Sequence, residues 1–221
     1  MEAKQEYICA SWQGLLQQLA WLLSRGYWYH HVTYLPERKR DRWERIDQKL
    51  IKKYGCDKTK WQRARLKKKG VANFYYLRWE NVAVLMHTSG DIPSDIVYDD
   101  HFRNIMAKGK KNRLKVQISP LVGFEFYQDP KGITVKLDKQ TYAGIKDHLE
   151  TVVATKNVAK IVHEYNKLNG FPAFRGIVRQ KIELAKFILN RAGHHQIRLS
   201  PQDLRIITYK PFVTVFEKKR A

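Results

Sequence analysis

The sequence is poor in cysteine, glycine, proline and acidic residues, and each shortage excludes a class of protein. Two cysteines in 221 residues, without a Cys-x-x-Cys motif, exclude a disulfide scaffold and a cysteine zinc cluster and fit a reducing compartment. Twelve glycines and seven prolines exclude collagen-like and low-complexity sequences. No run of 18 apolar residues occurs, and residues 15–23 lack the flanks of a signal peptide. We therefore expect a cytoplasmic protein, with association with the nucleoid as an option, and no membrane partner.

The shortage of acidic residues leaves a large positive charge on a chain that has the composition of a folded protein. The sequence has 42 Lys and Arg against 21 Asp and Glu, which gives a formal net charge of +21. Its 43% hydrophobic and 12% aromatic residues can fill a core, and this excludes a disordered basic tail. A folded, strongly basic protein is typical of those that bind polyanions, so nucleic acid is the expected partner, with DNA favoured over RNA.

The spacing of apolar residues predicts a mixture of helices and strands. Intervals of three and four predict helices over 11–26, 40–54, 57–69, 139–155, 157–168 and 176–192. Runs rich in aromatic and β-branched residues predict strands over 27–35, 72–79, 82–88, 114–118, 121–127 and 132–137. One or two terminal strands are expected in 205–216 and a short helix near 102–108.

The fold class predicted from these elements is α+β, with a mixed or antiparallel sheet, a basic helix pair inserted near the N-terminus and a helical C-terminal part. We expect one α+β domain over residues 1–221. The alternative is a subdivision into a sheet-rich part, 1–138, which includes the basic helix pair, and a mainly helical part, 139–221.

About half of the net charge lies in residues 38–69, which hold 15 Lys and Arg and four acidic residues. The second predicted helix of this segment, 57–69, has only Trp61 and Ala64 as aligned apolar residues, so packing alone does not explain it. Phosphates would relieve the repulsion between its like charges. A further basic cluster lies at 218–220. The predicted nucleic-acid-binding residues are basic side chains of two segments: Lys58, Lys60, Arg63, Arg65, Lys67, Lys68, Lys110, Lys111 and Arg113.

Three interpretations of the 38–69 helix pair stay open at this point. A three-residue turn containing Gly55, with Asp57 as N-cap of the second helix, matches the outline of a helix-turn-helix, whose second helix reads bases in the major groove. The second interpretation is contact with phosphates without base readout, and the third is a merely solvated basic helix. A role in replication or in a mobile-element process fits the first two.

Aromatic side chains on the predicted strands raise an RNA-binding alternative. Residues 27–34 and 74–79 place aromatic side chains on both strand faces, and such a face can stack on the bases of a single strand. The protein would then be an RNA-binding component of a ribonucleoprotein. The simpler interpretation is that one of the two faces belongs to the core.

Four aspartates lie between residues 91 and 100 of this otherwise basic sequence, and they suggest a magnesium-dependent endonuclease as the alternative function. Carboxylates hold Mg²⁺ against phosphate in nucleases, and Mg²⁺ is the only cofactor implied, on condition that the chain is an enzyme. The predicted catalytic residues are Asp91, Asp95, Asp99 and Asp100, with Asp95 and Asp99 as metal ligands. The competing interpretation is structural: Asp91 and Asp95 cap turns, and Asp99 caps a following short helix.

Overall fold

The computed structural model describes residues 6–209 and 213–217 and confirms the α+β fold class with a helical C-terminal part. The chain divides into two compact units. The first comprises residues 1–116, 127–133 and 213–221, and the second comprises 117–126 and 134–212. The expectation of one domain over 1–221 stays a prediction.

The elements follow the predicted order closely. The helices are α1 (Trp12–Ser24), α2 (Trp43–Lys53), α3 (Lys60–Lys68), α4 (Lys139–Ala154), α5 (Val158–Asn166) and α6 (Arg175–His194). The strands are β1 (Tyr29–Tyr34), β2 (Phe74–Trp79), β3 (Val82–His87), β4 (Arg103–Asn104), β5 (Lys115–Ser119), β6 (Val122–Asp129) and β7 (Gly132–Leu137). Short 3₁₀ helices lie at Glu37–Arg42, Lys110–Asn112, Lys167–Gly170 and Pro201–Asp203. Both helices of the predicted basic pair, α2 and α3, form. That the two helices act together as one binding surface stays a prediction.

The first unit is built on an antiparallel sheet whose strand order is β2-β3-β1-β4. β3 therefore lies between β2 and β1, so that His87 is paired with Phe74 on one side and with Tyr29 on the other. A second sheet has the order β5-β6-β7, and the boundary between the two units falls within its strands.

Helices cover the first sheet because its residues are apolar on both faces. In α1 the Ser11 side chain caps the helix by accepting a hydrogen bond from the Gly14 amide, and the leucines that recur at three and four are fully buried. This helix contacts β2. From α2, Trp43 joins a core with Phe74 and Tyr76 of β2.

A buried ion pair fixes α2 on the sheet. Asp47 is inaccessible to solvent, and both of its carboxylate oxygens accept hydrogen bonds from Arg78 Nε, at 3.0 and 2.8 Å. The Tyr76 hydroxyl donates a third bond at 2.6 Å. Burial raises the pKa of Asp47, while the bonds from Tyr76 and Arg78 act in the opposite direction. An acidic residue in this basic segment is thus part of the core and not of the surface.

The second unit is a helical assembly with its own core. Side chains of α4, α5 and α6, among them Leu149, Ile161 and Ile188, form one buried cluster. Asp138 and Asn157 cap α4 and α5 by accepting hydrogen bonds from the amides of Thr141 and Lys160.

Two residues of α6 are buried under unusual constraints. Gly176 approaches the backbone of Val135 in β7 so closely that a Cβ atom has no room there. Lys181 is also buried, its ammonium donates to the Phe171 carbonyl at 3.2 Å, and burial lowers the pKa of this lysine to about 8.

One secondary-structure prediction is wrong, and another is confirmed only in part. No helix forms near 102–108, because residues 103–104 pair with β1 as β4. The terminal strands predicted in 205–216 are confirmed only at Phe216, which forms an antiparallel bridge with Cys9, while the other described residues of this segment form no strand. The Asn169 side chain bonds the Arg205 carbonyl and the Ile207 amide, at 2.8 and 3.0 Å, and so takes the place of a neighbouring strand. Residues 210–212 lie outside the described residues.

Candidate nucleic-acid interface

The helix α3 is basic along its whole length and contributes no buried residue to the core. Five of its nine residues are Lys or Arg, and none is acidic. A capping box starts it: the Thr59 hydroxyl accepts from the Gln62 amide, and the Gln62 side chain accepts from the Thr59 amide at 2.7 Å. Gly70, with φ of +71°, follows its C-terminal end.

The turn between α2 and α3 differs from the prediction. The N-cap of α3 is Thr59 and not Asp57, because the capping box with Gln62 fixes the start of the helix two residues later. Six residues, 54–59, therefore separate the two helices, whereas a helix-turn-helix has a turn of about three or four. The predicted three-residue turn is wrong, and the outline that suggested base readout in a major groove is lost.

Contact between α3 and the rest of the first unit is made by Arg63 and not by Trp61 or Ala64. The Arg63 guanidinium lies 4.8 Å from the ring centre of Tyr75 and donates to the Cys56 carbonyl at 3.0 Å. Leu66, one turn further on, is half-buried. Trp61 and Ala64, the two aligned apolar residues of the sequence, are exposed on the other side.

Most basic side chains of residues 38–69 face solvent. Twelve of the fifteen are exposed, and Lys53, Lys58 and Arg63 are partly buried. Two of the twelve, Arg40 and Arg42, form ion pairs with nearby acidic residues. Within the described part of the chain the other ten have no ion pair: Arg38, Lys39, Arg45, Lys49, Lys52, Lys60, Arg65, Lys67, Lys68 and Lys69.

The second predicted basic cluster lies on a separate element, the 3₁₀ helix Lys110–Asn112. Lys110 and Lys111 are exposed. Arg113 is partly buried, with its guanidinium 5.5 Å from the ring centre of Tyr127. Residues 218–220, the third cluster, lie outside the described residues.

The loop with the four aspartates is anchored at both ends to the basic segment. At its start, the Asp91 amide donates to the Gly70 carbonyl and the Asp91 carbonyl accepts from the Ala72 amide, both at 2.9 Å. This contact places Asp91 beside the C-terminal end of α3. Near its end, Asp99 and Asp100 both bind Lys53 at the end of α2.

Lys53 and the adjacent Tyr54 bind two of the four aspartates. The Lys53 ammonium donates to the carboxylates of Asp99 and, at 3.2 Å, Asp100, while the Tyr54 hydroxyl donates to Asp100. The hydrogen bond from Lys53 lowers the pKa of Asp99. Burial acts to raise the pKa of Asp100, but the bonds from Tyr54 and Lys53 outweigh it and the pKa is lowered. These two carboxylates fasten the loop to α2.

The remaining aspartates, Asp91 and Asp95, are exposed. Within residues 6–209 and 213–217, no group of three or more His, Cys, Asp or Glu side chains could hold a metal ion. Asp99 caps no helix, since the next element is the strand β4. The catalytic and metal-binding roles of the four aspartates stay predictions.

Both faces of the aromatic strand β2 are covered, which leaves no base-stacking platform there. Phe74 and Tyr76 on one face and Tyr75 and Leu77 on the other are all buried. On β3, His87 is enclosed by rings: Tyr29 stacks on it at 4.5 Å and Phe74 at 4.8 Å between ring centres. Its pKa falls to about 4 because of burial. The simpler interpretation, one core face and one face with surface tyrosines, is therefore wrong for β2, because both of its faces are buried.

No family model, curated protein or solved structure matches this chain. Among the described helices none is long and apolar enough to cross a membrane.

Proposed function

We propose that this protein binds nucleic acid, DNA in the first place, through phosphate contacts made by the exposed basic side chains of residues 38–69. The observation that carries the proposal is the set of ten exposed Lys and Arg side chains there that have no ion pair among the described residues. Their mutual repulsion is a cost in the free protein. A polyanion would remove that cost and release its own condensed counterions.

Helix α3 is the centre of the proposed surface. It projects Lys60, Arg65, Lys67 and Lys68 into solvent, and it contributes no buried residue of its own. The six-residue turn before it gives no support to base readout in the manner of a helix-turn-helix. Contact with phosphates is therefore the proposed mode.

A charge-removal variant tests the proposal. Lys60, Lys67 and Lys68 are changed together to alanine, which leaves Arg63 and the attachment of α3 intact. Binding to labelled duplex DNA, single-stranded DNA and RNA is followed by fluorescence anisotropy at 50 and 200 mM salt. On duplex DNA each lost phosphate contact lowers the salt slope by about 0.9, so three lower it by about 2.7. The affinity of the wild-type chain should then fall about 40-fold more than that of the variant between the two salt concentrations.

A matched control removes the same charge elsewhere. Lys139, Lys160 and Lys186 are exposed lysines of the second unit, and their triple alanine variant also loses three charges. We expect it to keep most of the wild-type affinity and salt slope. Equal slopes for the two triple variants would refute α3 as the contact, and the absence of binding by the wild-type chain to all three ligands would refute the function itself.

A further inference from the structure

Trp61 is the most exposed aromatic residue that the structure describes, with 76% of its surface accessible. Within the described residues no aromatic ring or cationic group stacks on its indole. Trp21, which is 44% exposed, offers a contrast, because the Arg25 guanidinium covers its ring at 4.3 Å. An uncovered indole in the first turn of a basic helix is costly in water, since it leaves a large apolar surface solvated.

The residues around Trp61 form one outward stripe of α3. Residues three, four and seven positions further on share its helix face, and these are Ala64, Arg65 and Lys68. All four are exposed. The small Ala64 side chain leaves space beside the indole, whereas Arg65 and Lys68 carry positive charge to the same side.

The position of Arg63 fixes which way this stripe faces. Its guanidinium lies against Tyr75 and bonds the Cys56 carbonyl, so its side of α3 is turned towards the first unit. Leu66, half-buried, marks the same side. Trp61, two residues before Arg63, is therefore held away from the core.

We propose that Trp61 stacks on an unpaired nucleobase, so that the preferred ligand of this surface is a nucleic acid strand with unpaired bases. This inference rests on the proposed function and adds the ligand class to it. Arg65 and Lys68 bind the phosphates that flank the stacked base. A base within an intact duplex is stacked on its neighbours and does not offer its face to an indole, so duplex binding uses the charges alone.

The test separates bases from phosphates. Affinities are measured by fluorescence anisotropy for a labelled 20-mer of deoxythymidine and for a 20-mer with the same phosphates and abasic sugars. Stacking on one base contributes about 5- to 150-fold in affinity. Trp61→Ala should lose this factor on the thymidine strand and nothing on the abasic strand or on a 20-bp duplex. A 20-mer of uridine distinguishes RNA from DNA as the source of the unpaired base.

Control variants keep the result interpretable. Trp61→Phe retains an aromatic face and should recover most of the lost affinity, and Trp21→Ala, which removes a covered indole, should bind as the wild type does. The triple variant of Lys60, Lys67 and Lys68 should weaken binding to the intact and abasic strands alike.

Three outcomes would overturn the inference. The first is that Trp61→Ala and the wild type bind the thymidine strand with equal affinity. If the wild type then still binds this strand in a salt-dependent way, the proposed function itself is not refuted. Another is an equal loss on intact and abasic strands, which would make Trp61 a structural residue. The third is a wild-type dimer that Trp61→Ala dissociates in sedimentation velocity, because the indole would then be covered by a second copy of the chain. Failure of the wild type to bind any strand would instead refute the proposed function.

Discussion

Changing Arg63 to alanine should detach α3 from the first unit while the rest of that unit stays folded. The helix contributes no buried residue, and Arg63 makes its specific contacts to the body of the protein, on Tyr75 and on the Cys56 carbonyl. A nine-residue helix is not stable by itself in water. Without Arg63, only the half-buried Leu66 remains on the inward side.

The size of the effect follows from the two contacts. A cation over an aromatic ring contributes roughly 0.5–2 kcal/mol, and a hydrogen bond from a charged donor contributes about 1.5–3 kcal/mol. Their sum, about 2–5 kcal/mol, corresponds to a change of about 30- to 4,000-fold in the equilibrium between docked and undocked helix. The stability of the sheet and of α1 does not depend on these contacts.

Amide hydrogen exchange measures this local equilibrium directly. Protection in residues 58–70 of the Arg63→Ala variant should fall by the factor given above, whereas protection in α1 and β3 should stay at the wild-type level. Arg65→Ala is the matched control, because it removes the same charge from an exposed position of the same helix. Equal protection of α3 in the two variants would refute the role of Arg63, and a loss of protection in β3 would refute the local character of the change.

Three further substitutions test the packing. Gly176→Ala should lower the free energy of unfolding by about 1–3 kcal/mol in thermal denaturation, because its Cβ would overlap β7, whereas Gly144→Ala, with open space around it, should raise it by about 0.5–1 kcal/mol. Asp47→Ala leaves a buried arginine without its partner and should cost about 3–5 kcal/mol in urea denaturation; a cost under about 1 kcal/mol would contradict this. Lys181 has a pKa of about 8 in the folded state and 10.5 ordinarily, so folding disfavours its charge, and its contribution to stability falls as the pH drops from 10.5 to 8. The stability gained by Lys181→Met should therefore be largest below pH 8 and shrink towards pH 10.5, and a difference independent of pH would contradict this.

The elements that local patterns specify could be predicted from the sequence. The leucines of α1 recur at three and four behind a serine N-cap, and the structure has that cap and that buried face. The strands β2 and β3 were predicted from aromatic and β-branched runs around a short turn, and they pair there. In such segments the local pattern and the tertiary contacts demand the same structure.

The features that could not be predicted depend on contacts between distant residues. No local rule shows that Lys53 will bind Asp99, 46 residues away, and this pair anchors the loop that holds the four aspartates. The inward side of α3 depends on such a contact as well. Hydrophobicity ranks Trp61 above Arg63, but a guanidinium can lie on an aromatic ring and bond a carbonyl, and the arginine takes the inner position.

The same division of roles explains why the charge of residues 38–69 indicates a binding surface. The fold uses few of these charges: Asp47 holds α2 on the sheet, Lys53 holds the aspartate loop, and Arg63 holds α3. Ten other Lys and Arg side chains are exposed, and the described structure gives them no ion pair. Like charges that stabilise no contact raise the free energy of the folded state, and many polar residues would fill an exposed helix face without that cost. Since the fold does not require these charges, the reason for them lies in what the surface contacts, and a polyanion is the partner that turns their repulsion into affinity.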